Sequence, residues 1–377
     1  MDWAQLRCEF PSASSIVHMN HAGLAPMPLS VARAIRDFAA QALDFDAGTS
    51  ARWETRREAV RAAAAQLVRA KTSQVAFVAN TATGLSLIAT GLEWQAGDNV
   101  VGVADEYPSN VYPWWGARRW GVETRLVPRR NLRFGVDDIA AAVDRRTRVV
   151  TVSAVDWQSG FRADLAVLAQ FCRERDLILC VDAIQAVGAM QVDFAGLELD
   201  CIAAGGHKWL LAPEGCGVLV VSERLLERMH PVLLGWNSMR DPNRYLPYRF
   251  DLRDDAARFE PGTAPHLGIH ALGAAIELLL AVGSAAIEAR ILDRTKCLAE
   301  GLRSRGAVVR SPWEPHERSG ILTVELGDAA GLQAALRDAG VIARVRLGGV
   351  RLAPHAYASD ADIAAVLAAV DDYRRRS

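Results

Sequence analysis

The stretch that decides the fold is Leu177-Ile178-Leu179-Cys180-Val181-Asp182-Ala183-Ile184-Gln185-Ala186-Val187-Gly188, joined through a short connection to Cys201-Ile202-Ala203-Ala204-Gly205-Gly206-His207-Lys208-Trp209. An uninterrupted apolar run such as Leu177 to Val181 suits a strand covered on both faces, which has no solvent side that needs polar alternation. Asp182 stands at the carboxyl end of this strand. The run Cys201 to Ala204 predicts a neighbouring strand that delivers Lys208 at the corresponding end. Ligands of open α/β sheets bind outside the carboxyl ends of the strands, so an acid and an amine converge on one crevice.

A lysine that forms a Schiff base, and an acid that keeps a pyridine nitrogen protonated, are what pyridoxal phosphate requires of a protein. The residues Asp182-x-x-Gln185, Gly206-His207-Lys208-Trp209 and Pro213-Glu214-Gly215-Cys216-Gly217 resemble the class V aminotransferase family of fold-type I pyridoxal phosphate enzymes. That family includes cysteine desulfurases, selenocysteine lyases, kynureninase and isopenicillin N epimerase. Gly-His-Lys alone is weak, but an Asp-x-x-Gln whose acid lies 26 residues before the lysine makes the pattern specific. The resemblance implies an α/β large domain over 15–275 with a mainly parallel seven-stranded sheet flanked by helices. It also implies a smaller α+β C-terminal domain over 276–377, with 1–14 packing against it.

Composition agrees with a two-domain globular enzyme. The chain has 377 residues, about half hydrophobic, with 43 basic and 44 acidic side chains. Such a balance gives no general electrostatic case for nucleic acid or membrane partners. Six cysteines lie without zinc or Cys-x-x-Cys spacing, no export signal is visible at Met1-Asp2-Trp3, and no apolar run is long enough to span a bilayer. Buried thiols and a cytoplasmic location are expected.

Outward from the central stretch, Val75 to Val78 predicts a buried strand, and Asn80-Thr81-Ala82-Thr83-Gly84 a turn into a helix. Unpaired amides and the positive dipole end at a helix N-terminus bind phosphate. The hydroxyl of Thr81 and the amides of Ala82 and Thr83 are the expected donors, although the turn also suffices as a plain N-cap. The resemblance places Tyr107, in Asp105-Glu106-Tyr107-Pro108-Ser109-Asn110, over the cofactor ring. A residue after the strand near Val149 to Val155 is expected to bond the ring hydroxyl, with Asp156 and Gln158 both open. Asp164 reads as the cap of the next helix. His207 and Gln185 are expected to orient the ring. Arg258-Phe259-Glu260-Pro261-Gly262-Thr263 resembles the family's Arg-Phe-Glu-x-Gly-Thr motif, which implies that Thr263 reaches the phosphate in a partner subunit and that the enzyme is a homodimer.

In the C-terminal region, Arg351 matches the family arginine that grips the substrate α-carboxylate, a task that suits a planar bidentate guanidinium. Roles for Asn20, His21, Arg344 and Arg346 stay open. The loop Ala343-Arg344-Val345-Arg346-Leu347-Gly348-Gly349 lacks the cysteine that persulfide-forming desulfurases carry there. The expected activity is therefore aminotransferase-type chemistry at Cα of an amino acid, through Lys208 and Asp182. A cysteine-independent carbon–sulfur lyase or an amino-acid epimerase is the alternative. A non-catalytic binding protein on the same fold becomes plausible only if Lys208 forms no Schiff base. No Gly-x-Gly-x-x-Gly follows a strand, which disfavours a nicotinamide dehydrogenase.

Overall fold

The computed structural model describes residues 1–376. Seven short strands form the central sheet: β1 Val75–Val78, β2 Asn99–Val103, β3 Glu123–Val127, β4 Thr147–Ser153, β5 Ile178–Asp182, β6 Cys201–Gly205 and β7 Gly217–Val221. Their spatial order is β1-β7-β6-β5-β4-β2-β3, parallel except for β7, which runs antiparallel to both β1 and β6. The sheet is α/β and mainly parallel, as expected. Every residue of β1, β2, β5, β6 and β7 is buried, which is why these segments read as continuous apolar runs. The strand after Lys208, β7, is inserted between β6 and β1, and β1 forms the edge.

Helix His266–Val282 packs on helices Leu29–Leu43 and Thr49–Val68, which explains its apolar composition. No single helix among the described residues is long and apolar enough to cross a membrane. The Arg258 to Thr263 run is tied to the sheet through Glu260. This carboxylate accepts from the Phe77 amide at 2.9 Å and pairs with buried Arg61 at 2.5 Å. The run thus sits against β1, the strand that leads into the expected phosphate turn.

Four further strands, β8 Val308–Val309, β9 Leu322–Glu325, β10 Arg344–Arg346 and β11 Gly349–Leu352, make an antiparallel sheet in the order β10-β11-β9-β8. Helices Ala329–Asp338 and Asp360–Arg376 accompany it. The N-terminal segment returns to this part of the chain: Val17–His18 pairs in parallel with Val341–Ile342, the Arg7 guanidinium bonds Asp362 at 2.5 Å, and Phe10 stacks on Tyr357. Leu347 and Gly348 both have positive φ, 52° and 72°, and connect β10 to β11 as a two-residue hairpin turn that fixes its register.

Candidate active site

In the register of β5 with β6, Asp182 lies opposite Ala203, so the two strand ends open on the same side. There a cleft of about 380 Å³ is lined by Asp182, Gln185, His207, Lys208, Thr81, Ala82, Tyr107 and Arg351 among others. The structure therefore brings these residues together, whereas Thr263 is exposed on the segment ahead of helix His266–Val282, outside the cleft.

The chain has three lysines. Lys71 and Lys296 are exposed on the surface with glutamate partners. Lys208 is buried, and its Nζ stands 5.3 Å from the centre of the Tyr107 ring. Desolvation lowers its pKa to about 8, against the opposing pull of Asp182, and the charges of Arg351 and Arg346 lower it further. A neutral amine is thus accessible near neutrality. Burial raises Asp182 to about 6, offset in part by the Ile184 amide, which bonds its Oδ1 at 3.0 Å, and by Lys208. Its other oxygen is bonded by no protein donor among the described residues, which suits a protonated ring nitrogen in the cleft.

Gln185 holds three loops in register. Its Nε2 donates to the Ala22 carbonyl at 3.0 Å, and its Oε1 accepts from the Trp209 indole at 2.8 Å. The turn Ala22-Gly23, the Asp182 loop and the Lys208 loop are locked by this one amide. Gly188 closes the Asp182 loop at φ +96°, so near Trp209 that a Cβ would meet its carbonyl oxygen at 2.3 Å. Thr81 and Ala82 open helix Thr81–Gly91 at the cleft, where a first-turn amide has no helical carbonyl to bond. One detail of the expected phosphate turn differs: the Thr83 amide is taken by the Asn80 cap at 2.9 Å. The Thr81 hydroxyl accepts from the Gly205 amide at 2.9 Å and keeps its own proton to donate. An N-cap draws its donor from the third residue on, so Thr83 cannot offer its amide to a ligand at the same time.

Neither Asp156 nor Gln158 reaches the cleft. Asp156 is buried in a pair with Arg129 at 2.5 Å and accepts from the Ser159 amide at 2.6 Å, closing a turn. The residue between them, Trp157, lines the cleft instead and meets Tyr107 edge to face. Asp164 caps its helix through the Val167 amide. Asn20 is no free-standing turn cap: its Oδ1 accepts from Arg351 Nη2 at 3.0 Å, while Nη1 of Arg351 donates to the Trp157 carbonyl at 2.5 Å. His21 is fully buried, bonded to the Ala353 carbonyl and the Tyr357 hydroxyl, behind the cleft rather than in it. Of the six cysteines, none lines the cleft; four are buried, Cys297 is half-buried and Cys8 is exposed, against the expectation for that thiol.

Sequence reading missed Glu106. Its carboxylate accepts from the Ser153 amide at 2.7 Å and from the Ser153 hydroxyl, and Ser153 pairs with Asp182 across β4 and β5. Burial pushes Glu106 to about 7, and the nearby Asp182 and Asp156 charges push in the same direction. A carboxylate next to Tyr107 was the available signal.

The profile of the family described as "Aminotransferase class-V" matches residues 17–357. The chain belongs to the class-V aminotransferase family. It is accordingly a pyridoxal-phosphate-dependent enzyme, and its fold is that of this family. A cysteine desulfurase of Cronobacter sakazakii is 30% identical over 345 residues, 86% of this chain and 82% of the relative. An isopenicillin N epimerase of Streptomyces clavuligerus is 27% identical over 355 residues, 89% of this chain and 88% of the relative. Among solved structures, a cysteine desulfurase from Thermococcus onnurineus superposes with a TM-score of 0.90 at 23% identity, covering 99% of this chain and 98% of that one. The cystine C–S lyase C-DES, in complex with its product cysteine persulfide, superposes with a TM-score of 0.89 at 22% identity, covering 96% and 99%.

Proposed function

We propose that this class-V enzyme acts at Cα of an amino acid, with Lys208 as both the covalent anchor of pyridoxal phosphate and the base that moves the Cα proton. The observation that carries this reading is the pairing of one buried lysine with one buried carboxylate at adjacent strand ends of the same cleft. The bound cofactor would supply an electron sink for the carbanion left at Cα. Asp182 would hold the ring nitrogen, Tyr107 would cover the ring, and Gln185 and His207 would fix its orientation. Thr81 and the amide of Ala82 would hold the phosphate. Arg351, buried and set by Asn20 and the Trp157 carbonyl, would receive the α-carboxylate.

Lys208 accepts the Cα proton on Nζ and returns it. Where the proton returns, and whether a β substituent leaves first, distinguishes aminotransferase, lyase and epimerase outcomes. No thiol borders the cleft, which supports chemistry that passes no sulfur to an enzyme cysteine. The exposure of Thr263, on a run anchored beside the phosphate turn, supports a homodimer in which Thr263 completes the partner's phosphate site. We place the division between the large and small domains near residue 275, with residues 1–14 joining the small one, and the enzyme in the cytoplasm, where its free thiols would persist.

The test is to incubate the purified holoenzyme with single L-amino acids, cysteine and cystine included, without a keto acid. Conversion of the extracted cofactor to its amine form assigns transamination. Unchanged cofactor with released pyruvate, ammonia and sulfide assigns elimination, and loss of optical activity alone assigns epimerisation. No reaction with any amino acid would overturn the reading.

A further inference from the structure

The β10–β11 hairpin carries three arginines on one face. Arg344 and Arg351 are directly opposed in the antiparallel register, and Arg346 lies two residues beyond Arg344, so all three side chains leave the same side of the ribbon. Like charges directly opposed across strands are unfavourable, and here the charge of Asp156 offsets Arg351 only in part. Arg344, Arg346 and Arg351 make no ion pair among the described residues; the nearby acid, Asp156, is already held by Arg129.

Two of the three guanidiniums face the cleft that holds Lys208. Arg351 is 2% exposed, spends its two terminal nitrogens on Asn20 and the Trp157 carbonyl, and keeps a buried Nε without a partner. Arg346 lies over the Trp157 indole, 5.2 Å from its ring, with Nη1 on the Val345 carbonyl and a buried Nε also unpartnered. Trp157 thus fixes both groups, one by its backbone and one by its ring face. The α-carboxylate of an ordinary amino acid would neutralise buried Arg351 and leave half-buried Arg346, whose Nε is buried without a partner, with no anion in the same cleft.

We infer that the substrate is an amino acid with a second anionic group on its side chain, and that Arg346, backed by Arg344, receives that group while Arg351 holds the α-carboxylate. This rests on the reading of Lys208 and Arg351 given above. Carboxylate, sulfinate, sulfonate and phosphonate share the required chemistry, an anionic oxygen fork that a planar guanidinium stacked on indole can bind with two parallel hydrogen bonds. Arg346 is a specificity-determining residue and has no part in proton transfer.

The experiment uses α-methyl amino acids, which have no Cα proton to lose, and reads equilibrium binding to the holoenzyme from the change in cofactor absorbance. The probes are α-methylaspartate, α-methylglutamate, 2-methylalanine and α-methylnorvaline. The wild type should prefer one of the diacids to its neutral counterpart by about 10- to 100-fold, the range of a charge-assisted hydrogen bond. Arg346→Ala should collapse that preference, Arg346→Lys should restore part of it, and Arg351→Lys should weaken all four probes. Equal binding of diacid and neutral probes by the wild type, or a preference untouched by Arg346→Ala, would overturn the inference while leaving the cofactor reading intact. Loss of cofactor from Arg346→Ala would also overturn it, by assigning that guanidinium to the phosphate. A wild type that takes up no pyridoxal phosphate would remove both.

Discussion

A buried amine and a buried acid set the behaviour of single residues here. Lys208→Ala should lower turnover by at least about 10³-fold, within the reach of a lost general base, with the thermal unfolding midpoint kept. Activity close to wild type in that variant would exclude Lys208 as the base. With its pKa near 8, unprotonated Lys208 grows as pH rises toward that value. The rate of pyridoxal phosphate uptake by cofactor-free protein should therefore climb from pH 6 and level off above about pH 8, as followed by stopped-flow absorbance. Asp182 carries the opposite sign of penalty. Its pKa is raised from 3.8 to about 6, so the folded state holds a proton that the unfolded chain has lost over that window. Stability of the cofactor-free protein should fall as pH climbs from about 4 to about 6. Asp182→Asn should remove this loss, adding up to about 3 kcal/mol at pH 7 by denaturant unfolding, while turnover drops by about 10²-fold or more.

Asp182 was legible as the residue that ends an apolar run, and Lys208, three residues beyond the strand Cys201–Gly205, through the Gly-His-Lys that follows it. The Asn80 cap that takes the Thr83 amide is itself a local pattern, whereas Asp156 is withdrawn from the cleft by Arg129, a contact across 27 residues that no local pattern encodes. Trp157 enters the cleft because the Asp156-to-Ser159 turn folds the neighbouring side chains away.

Among the elements, two turns place the chemistry. The Asp182 loop closes at Gly188, whose φ of +96° and contact with the Trp209 carbonyl leave no room for a side chain. Gly188→Ala combines a left-handed backbone penalty with a backbone clash, so it should destabilise by more than about 2 kcal/mol. The same change should loosen the Lys208 loop; an unfolding midpoint equal to wild type would show that the close approach is not required. The β10–β11 hairpin is the second device. Residues 343–349 read as a loop, so neither the strand Arg344–Arg346 nor the facing of Arg344, Arg346 and Arg351 was legible. Facing follows from the register, and the register is set by the Leu347-Gly348 turn, whose paired positive φ values a Leu-Gly dipeptide does not announce.

Across the whole molecule, strands such as β5 and β6 were legible as apolar runs because they are buried, and the mainly parallel order of the sheet was what the family resemblance implied; the antiparallel insertion of β7 was not legible, because a buried strand reads the same in either direction. The surface adds a feature that composition hides. Val232, Leu233, Leu234, Tyr245, Tyr248 and Phe250 are exposed on the connection that precedes the Glu260 anchor. Exposed apolar groups gathered on one connection are the mark of an interface. Sedimentation should show a dimer, and Thr263→Ala should weaken cofactor phosphate binding by about tenfold without dissociating it. A monomer with full cofactor affinity would remove Thr263 from the site.

Borohydride reduction fixes a Schiff base on the lysine that forms it, and so reads whether Lys208 anchors the cofactor. The holoenzyme is reduced, digested and mapped by mass spectrometry, with all three lysines covered. A pyridoxyl adduct is expected on the peptide that contains Lys208, and none on those of Lys71 or Lys296. An adduct on another lysine, or none after saturation with pyridoxal phosphate, would contradict it.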